Sequence, residues 1–350
     1  MKKNLKQKSD LLKTAYNTTI HLFLERISFG LYYRPERVQI NFTLRCNLKC
    51  KHCLVPHYFS DELSLKRWKE IMLRLRKWLG CFFLVITGGE PLLREDVVDL
   101  IKFSNSLGIT TCLITNGTLI DKYMADRLVE SGLNIICISL DGFKEKTHNF
   151  LRGDGVYKKT MEAIEYLKNR SILQICTTVL SCNLEELLEL VNFVEDNRIA
   201  INFQGWKVKN IIGDFDIQNH ALWPKDREKV ERIFNELILR KEKNHSIINS
   251  IRHLQLMKSY YINYHLSYHC QAYKRNFNID PNGVVGLCYK FRPIGNATWE
   301  SPNTMWNSKE TSLIRKKMKG CNFNCSFLNC HFYESFLEKV LRFKNIYFNF

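Results

Sequence analysis

The feature that most constrains the fold is a repeated alternation of short apolar runs and longer amphipathic stretches over about residues 35–205. The apolar runs, rich in the β-branched and aromatic residues typical of strands, occupy residues 37–43, 82–87, 109–115, 134–140, 173–180 and 200–204. Between them, apolar side chains recur at helical spacing in stretches such as 63–79, 94–108 and 184–197. Strands that alternate with helices pair in parallel through right-handed crossovers. The pattern therefore predicts an α/β fold, a partial TIM-like (β/α)6 barrel.

Polar residues follow the predicted strands at the ends where parallel barrels place their active sites. The first strand leads into Cys46, Cys50 and Cys53, in the arrangement Cys-x3-Cys-x2-Cys. The next three strands end in the sequences TGGEP, TNGT and SLDG. Each of these three sequences alone is consistent with an ordinary turn, since Gly, Asn and Asp are common turn residues. Together with the cysteine loop they predict one site at the mouth of the barrel.

The three clustered cysteines lack a fourth cysteine nearby. A structural zinc site or a common iron–sulfur cluster takes four protein ligands. Three thiolates leave one coordination position open, and a cofactor or a substrate could bind there.

The composition is that of a soluble globular protein. The chain has 350 residues, of which 45% are hydrophobic, enough for one large domain and a smaller one. Its longest apolar runs are of strand length, far short of a membrane span of about 18 residues, and the basic N-terminus lacks the features of a signal peptide. We therefore expect a cytoplasmic protein whose thirteen cysteines are metal ligands or buried free thiols rather than disulfides.

The formal net charge of +17 raises the question of nucleic acid, because clustered Lys and Arg attract phosphate. Here the basic residues are spread over several helix-like stretches, and no nucleic-acid-binding motif accompanies them. We do not expect nucleic acid as the partner. Anionic small molecules and membrane surfaces are other partners that the positive charge could attract.

The cysteine loop, the GGEP and SLDG sequences and Arg152 occur in an order and spacing that resembles the radical S-adenosylmethionine enzymes. The resemblance covers about residues 35–205. It implies that Cys46, Cys50 and Cys53 hold a [4Fe–4S] cluster. It also implies that the amino and carboxylate groups of S-adenosylmethionine chelate the fourth iron, which would explain the absent fourth cysteine.

The same resemblance assigns the cofactor contacts. The GGEP residues are expected to accept from the methionine ammonium, Ser139 and Arg152 to hold the carboxylate, and one residue of the TNG sequence to lie near the cofactor. These expected cofactor-binding residues are Gly88, Gly89, Glu90, Asn116, Ser139 and Arg152. His52, between the second and third cysteines, is either a ring beside the adenine or a solvated loop histidine.

The resemblance also implies the reaction. One electron from a donor such as flavodoxin or ferredoxin passes through the cluster, the sulfonium C–S bond breaks, and a 5′-deoxyadenosyl radical abstracts hydrogen from the substrate. The protein supplies orientation and excludes water.

The remaining cysteines fall into two groups. Five lie in or beside predicted strands, where we expect core packing: Cys81, Cys112, Cys137, Cys176 and Cys182. Another five lie near the C-terminus, a density that indicates metal ligation: Cys270, Cys288, Cys321, Cys325 and Cys330. The portion from Cys270 to Cys288 resembles the start of a SPASM domain or its shorter twitch form, and the sequence DPNG predicts a hairpin turn within it.

A full SPASM domain has seven cysteines for two clusters, and this segment has five. We expect one auxiliary [4Fe–4S] cluster, ligated by Cys270, Cys288 and two of Cys321, Cys325 and Cys330. A zinc site on the tail, or a second cluster with another ligand, stays open. The expected organisation is an N-terminal helical extension (1–34), the barrel (35–245) and a small α+β cluster-binding subdomain (246–350).

The sequence constrains the substrate less. Sulfatase-maturing relatives carry an acidic residue after the cysteine of Gly-x4-Cys, where this chain has Tyr289, a poor base at neutral pH. We expect a peptide or small-metabolite substrate. The alternatives are an RNA-modifying radical enzyme and a non-enzymatic iron–sulfur redox or scaffold protein. Residues 14–33 are expected to pack as a helix on the barrel, with a peripheral membrane contact as the alternative.

Overall fold

The structure is a computed structural model. It describes residues 37–53, 60–206, 217–243, 246–264 and 270–321, together with positions 9, 12–17, 20, 34, 35 and 55. Cys325 and Cys330 lie outside the described residues, as does most of the 14–33 stretch.

Nine strands form one sheet in the described chain. In chain order they are β1 Arg37–Thr43, β2 Phe83–Gly88, β3 Thr110–Thr115, β4 Ile135–Ser139, β5 Ile172–Val179, β6 Ala200–Gly205, β7 Asn276–Ile279, β8 Val284–Gly286 and β9 Gly295–Asn296. Their spatial order is β6-β5-β4-β3-β2-β1-β7-β8-β9. The first six strands pair in parallel in sequence order. This confirms the predicted partial barrel.

Helices connect the strands and cover the outer face of the sheet. They are α1 Leu65–Leu79, α2 Val97–Ser106, α3 Lys122–Glu130, α4 Glu145–Arg152, α5 Val156–Leu167, α6 Glu186–Asp196, α7 Arg227–Lys243, α8 Ile251–Asn263, α9 Ala272–Arg275, α10 Pro302–Trp306 and α11 Lys309–Lys319. Several begin at a side-chain cap: the Ser64 hydroxyl accepts from the N–H of Arg67, and the Asp121 carboxylate accepts from that of Met124.

The two faces of the barrel sheet differ in what they bury. On β1, Val38, Ile40 and Phe42 are fully buried in the main apolar core, because alternate side chains of a strand point to the same face. A separate cluster contains Val85 with the cysteines of β3, β4 and β5, namely Cys112, Cys137 and Cys176. These alternate with main-core residues, so they line the barrel interior.

This confirms core packing for three of the five strand-associated cysteines. Cys81 is only partly buried, and Cys182 is exposed, so the packing prediction is wrong for Cys182. Cys182 lies on the 3-10 turn Ser181–Asn183 that follows β5. Cys182 is therefore outside the core although it lies close to a strand in the sequence.

The C-terminal segment extends the barrel sheet, which the sequence did not predict. Strand β7 pairs in parallel with β1, placing Ile279 opposite Ile40. The hairpin predicted at DPNG joins β7 to β8 in antiparallel pairing, and its Gly283 has φ +85°, a conformation that favours glycine. The hairpin turn thus lies at the same end of the sheet as the cysteine loop after β1.

The described N-terminal residues contact the barrel. Residues 12–17 are helical, the Thr14 and Thr110 hydroxyls are 2.7 Å apart, and the Asn17 amide donates to the carbonyls of Leu79 and Cys81 at 2.8 and 2.6 Å. Within the described residues, none of the helices is long and apolar enough to cross a membrane.

Candidate active site

The three clustered cysteines lie on the loop after β1 and are partly buried, and none of the described cysteines forms a disulfide. Backbone hydrogen bonds shape this loop: the Leu48 N–H lies 3.5 Å from the Cys46 Sγ, and the Cys53 N–H donates to the Cys50 carbonyl at 3.0 Å. The Lys51 N–H donates to the Leu151 carbonyl of α4 at 2.9 Å. Helix α4 therefore fixes the middle of the loop.

Two glycines after β2 let the chain lie directly against the cysteine loop. The Gly89 N–H donates to the Thr43 carbonyl at 2.7 Å, and the Glu90 N–H donates to the Arg45 carbonyl at 2.8 Å. A Cβ atom on Gly88 would overlap the Thr43 carbonyl, and one on Gly89 would overlap the Arg45 carbonyl. The close approach therefore requires glycine at both positions.

The Glu90 carboxylate is buried in a hydrogen-bond network. It accepts from the Thr115 hydroxyl and the Asn116 N–H, each at 2.8 Å, and from the Leu92 N–H at 3.1 Å. Burial raises the pKa of Glu90, and these hydrogen bonds partly offset the rise. The side chain thus ties the loop after β2 to the loop after β3.

Asn116 ties the loop after β3 to the cysteine loop. Its Nδ2 donates to the Asn47 Oδ1 at 2.9 Å, and the Asn47 Nδ2 donates to the Thr118 hydroxyl at 2.8 Å. Asn47 follows Cys46 directly, so Asn116 is brought to the site as predicted from its position.

Arg152 forms a buried ion pair beside the cysteines. It is the last residue of α4, its Nε lies 2.7 Å from the Asp141 Oδ2, and its Nη1 lies 3.9 Å from the Cys50 Sγ. Burial alone would lower the pKa of Arg152 and raise that of Asp141, but their attraction outweighs it, so the pKa of Arg152 is raised and that of Asp141 lowered. The guanidinium therefore stays charged at the thiols.

Two neutral histidines flank this ion pair. The Nε2 of His52 lies 3.5 Å from the Asp141 Oδ2 with only 9% of the side chain exposed, so the solvated-loop alternative for His52 is wrong. The Asp141 N–H donates to the Nδ1 of His148 at 3.2 Å. Burial lowers the pKa of both rings to about 4. The His52 carbonyl also accepts from the Trp206 indole at 3.0 Å, which joins the cysteine loop to the end of β6.

The cysteine site suits a cluster rather than a single metal ion. Among the described residues, no three His, Cys, Asp or Glu side chains are grouped as a single-ion site. A four-iron cluster spreads its thiolates over separate irons, and thiolate is its usual ligand. Three partly buried thiols, a glycine cradle and a charged Arg152 therefore fit a cluster with a cofactor that chelates through a carboxylate. Ser139, at the end of β4, is partly buried at the same mouth.

The described C-terminal cysteines lie at the ends of short elements. Cys270 precedes α9, Cys288 follows β8, and Cys321 follows α11. Backbone N–H groups approach two of their sulfurs: that of Ala272 lies 3.4 Å from the Cys270 Sγ, and that of Lys290 lies 3.5 Å from the Cys288 Sγ. Both cysteines pack at the edge of the main apolar core.

Tyr289 reaches from the C-terminal subdomain to the barrel. The Asn41 Nδ2 donates to the Tyr289 hydroxyl at 3.1 Å and to the Asp280 Oδ1 at 2.7 Å. Asn41 lies on β1, five residues before Cys46, and Tyr289 is adjacent to Cys288. This trio of Asn41, Asp280 and Tyr289 therefore joins the strand that leads into the cysteine loop to the segment that carries Cys288.

Sequence reasoning did not single out Asp141, Trp206, Asn41 or Asn47. Asp141 belongs to the SLDG sequence, and its position as the acidic residue of the turn after β4 was the signal that could have identified it. Asn41 needed the pairing of β7 with β1, which no local pattern indicates.

Comparison with known families decides the identity of this site. Residues 40–206 match the family profile described as the Radical SAM superfamily, and residues 270–331 match the SPASM profile, an iron–sulfur cluster-binding domain. Residues 40–206 are therefore a radical SAM domain, and residues 270–331 a SPASM domain. Radical SAM domains use a [4Fe–4S] cluster and S-adenosylmethionine, and SPASM domains bind auxiliary clusters, so the expected cofactors are confirmed for both domains.

Two curated relatives and one solved structure define the likeness. An AdoMet-dependent heme synthase of Methanosarcina barkeri (strain Fusaro / DSM 804) is 29% identical over 58% of this chain and 58% of its own. A PqqA peptide cyclase of Rhizobium meliloti (strain 1021) is 26% identical over 80% of this chain and 72% of its own. The structure of native anSMEcpe with bound AdoMet and Cp18Cys peptide has a TM-score of 0.63 at 20% identity, covering 90% of this chain and 97% of that one.

These comparisons differ in what they establish about this chain. At 20% identity the solved structure shows the shared fold. The chain spans about half the length of the first curated relatives it matches. The comparisons therefore establish the fold and the two domains.

Proposed function

We propose that this protein is a radical SAM enzyme that reductively cleaves S-adenosylmethionine and abstracts hydrogen from a peptide substrate. The observation that carries the proposal is the placement of the loop of Cys46, Cys50 and Cys53 against the glycine cradle and Arg152 at one end of the barrel. A redox scaffold would need the thiols but not a cofactor cradle.

The three thiolates would hold the cluster, whose chemistry when bound is the one-electron cleavage of the cofactor to a 5′-deoxyadenosyl radical. The groups proposed for the cofactor belong to Gly88, Gly89, Glu90, Asn116, Ser139 and Arg152. Of these, Arg152 is the anchor for the methionine carboxylate, because a planar guanidinium binds a planar anion through charge-assisted hydrogen bonds. The backbone of Gly88 and Gly89 receives the ammonium together with Glu90.

The C-terminal subdomain would hold one auxiliary [4Fe–4S] cluster on Cys270, Cys288 and two of Cys321, Cys325 and Cys330. The substrate would lie between the two cysteine groups, beside Asn41 and Tyr289. Thiolate-bound clusters need a reducing compartment, so we place the enzyme in the cytoplasm, with a small one-electron carrier as its donor.

Two observations favour a peptide over a tetrapyrrole. The peptide cyclase aligns over 80% of this chain, against 58% for the heme synthase. In addition, strand positions that alternate with main-core residues carry neutral amides: Gln39, Asn41, Gln174, Asn202 and Asn278. Amides pair with the N–H and C=O groups of a peptide, whereas the carboxylates of a tetrapyrrole call for Arg or Lys.

The test uses anaerobically reconstituted protein with dithionite as the reductant. The wild type should release 5′-deoxyadenosine from S-adenosylmethionine, and the triple variant Cys46→Ala/Cys50→Ala/Cys53→Ala should release none. The iron content of the triple variant should be lower by about four atoms per chain, the content of one cluster. Cys182→Ala is the matched control, because Cys182 is exposed and outside the proposed ligands. Absence of cleavage by the wild type, or cleavage by the triple variant, would refute the proposal.

A further inference from the structure

Helix α4 carries an exposed apolar and basic stripe on its outer face. Phe143, just before the helix, is 37% exposed and Phe150 is 48% exposed. Lys146, also exposed, lies one turn from Phe150 on the same helix face. Exposed large aromatic side chains are common at interfaces and uncommon elsewhere on a protein surface.

The cysteine loop continues this stripe. The Lys51 ammonium lies 3.9 Å from the centroid of the Phe150 ring, a cation–π contact. Lys49 and Lys51 are both exposed and flank Cys50. We call Lys49, Lys51, Phe143, Lys146 and Phe150 the α4 stripe.

The opposite face of the same helix contacts the cluster site. His148, Leu151 and Arg152 are buried there, the Leu151 carbonyl accepts from the Lys51 N–H, and the Arg152 Nη1 lies 3.9 Å from the Cys50 Sγ. A protein seated on the α4 stripe would therefore be separated from Cys50 by little more than one side-chain layer.

The charge of the stripe is positive and unpaired. Lys49, Lys51 and Lys146 form no salt bridge in the part of the chain that the structure describes. The nearby acids are engaged elsewhere: Glu189 pairs with Lys144 at 3.5 Å, and Glu145 accepts from the Asn149 amide at 3.3 Å. With a chain charge of +17, a second copy of this protein would be repelled, and an acidic partner would be attracted.

We propose that the α4 stripe is the docking surface for a small acidic one-electron carrier protein. This inference rests on the proposed function, because it supplies the electron that the cofactor cleavage consumes. The carrier loses one electron and the cluster accepts it, without any proton or group transfer. Lysines steer the acidic carrier, and Phe143 and Phe150 provide the apolar contact that holds it.

The probe is recombinant flavodoxin, a small acidic carrier, tested with the full reconstituted chain. The stripe variant Lys49→Glu/Lys51→Glu/Lys146→Glu should raise the Kd for flavodoxin by about tenfold or more at low salt, since surface charges dominate steered association. Cofactor cleavage driven by reduced flavodoxin should fall accordingly. For the single variant Lys146→Glu, outside the cysteine loop, cleavage driven by dithionite should stay at the wild-type rate.

The matched control is Lys66→Glu/Lys102→Glu/Lys122→Glu, which makes the same change in net charge at exposed positions on α1, α2 and at the start of α3. It should leave both the Kd and the flavodoxin-driven rate close to wild type. Lys146→Glu alone, which leaves the cysteine loop unchanged, and Phe150→Ala should each weaken flavodoxin binding by a smaller factor, with unchanged iron content.

Equal Kd values for the stripe variant and the control would overturn the proposal. So would loss of binding to a single-stranded RNA oligonucleotide with flavodoxin binding unchanged, because the stripe would then be a nucleic-acid surface. Failure of the proposed function is distinguishable from either result, since it would appear as no dithionite-driven cleavage by the wild type.

Discussion

The cysteine loop after β1 and the cysteines of the C-terminal subdomain differ in what surrounds them. The loop is fixed by polar groups from three neighbouring strand ends and by a buried ion pair 3.9 Å from Cys50. Cys270 and Cys288 instead lie at the edge of the apolar core, with a nearby backbone N–H for each sulfur.

This difference bears on what each region does. A set of charged and hydrogen-bonding groups around a thiol site can bind a polar cofactor and tune its electronics. The packing of Cys270 and Cys288 against the apolar core suits a cluster that takes all of its ligands from the protein, as four-cysteine clusters do. This difference agrees with the proposed roles, which are cofactor turnover at the barrel site and cluster binding at the C-terminal site.

The largest expected effect that separates the two regions is loss of the auxiliary cluster. Cys270→Ala/Cys288→Ala should lower the iron content from about eight to about four atoms per chain, because two ligands of one cluster are lost. S-adenosylmethionine should still be cleaved slowly with dithionite, since the barrel thiols are untouched. Iron analysis and 5′-deoxyadenosine release on the same samples provide the measurement.

Cys112→Ala is the control, as its thiol is buried inside the barrel and outside both proposed ligand sets. It should keep all of the iron. Four irons with one zinc in the wild type would assign the tail to zinc, and about twelve irons would indicate two auxiliary clusters. If the Cys270/Cys288 variant retained its full iron content, these two cysteines would not be cluster ligands, and the proposed difference between the two regions would be wrong.

The second effect concerns the ion pair that only the barrel site has. Arg152→Ala should weaken S-adenosylmethionine binding by about 1.5–3 kcal/mol, the worth of a hydrogen bond to a charged group. It should also destabilise the fold by about 3–5 kcal/mol, because it leaves the buried Asp141 charge without its partner. Calorimetry of cofactor binding and denaturant unfolding measure the two effects separately.

The pH dependence tests the cause. In the wild type the lowered pKa of Asp141 means that its stabilisation is present above the unfolded carboxyl pKa and is lost as pH falls through the folded value. Without Arg152, burial would raise the pKa of Asp141, so the variant should become less stable as pH rises instead. Adding Asp141→Asn should restore stability but not cofactor binding. Full recovery of binding in the double variant would show that Arg152 does not contact the cofactor.

The sequence predicted the structure of the barrel far more completely than that of the C-terminal subdomain. The strand–helix alternation is local, so it could be predicted from neighbouring residues. The glycines of the GGEP sequence lie about 45 residues from the carbonyls that they approach, those of Thr43 and Arg45, but their residue type alone allowed a close backbone approach to be predicted. The buried role of the Glu90 carboxylate could not be predicted, because its partners Thr115 and Asn116 are 25 and 26 residues away in sequence.

The parallel pairing of β7 with β1 could not be predicted from the sequence for a similar reason. It joins segments about 240 residues apart, and nothing in either segment specifies its neighbour. Exposure of Cys182 also depends on the turn after β5 rather than on its own residue type. Local patterns thus predicted which loops carry chemistry, and tertiary contacts determined which side chains in them are available.

The smallest expected effect is at the junction of the two regions. Tyr289→Phe removes only the hydroxyl that accepts from Asn41 at 3.1 Å. The ring and its packing remain, and Asn41 keeps its bond to Asp280 at 2.7 Å, so unfolding stability should fall by only about 0.5–1.5 kcal/mol.

Iron content and dithionite-driven cofactor cleavage without substrate should equal those of the wild type, because neither depends on the junction. If the hydroxyl contacts the substrate, as its place at this junction suggests, KM for the substrate should rise while this basal cleavage is unchanged. Asn41→Ala should cost more stability than Tyr289→Phe, because it leaves the Asp280 carboxylate without that donor. A Tyr289→Phe variant that lost iron or basal cleavage would show that the junction instead supports the clusters themselves, and the separation of the two regions would then fail.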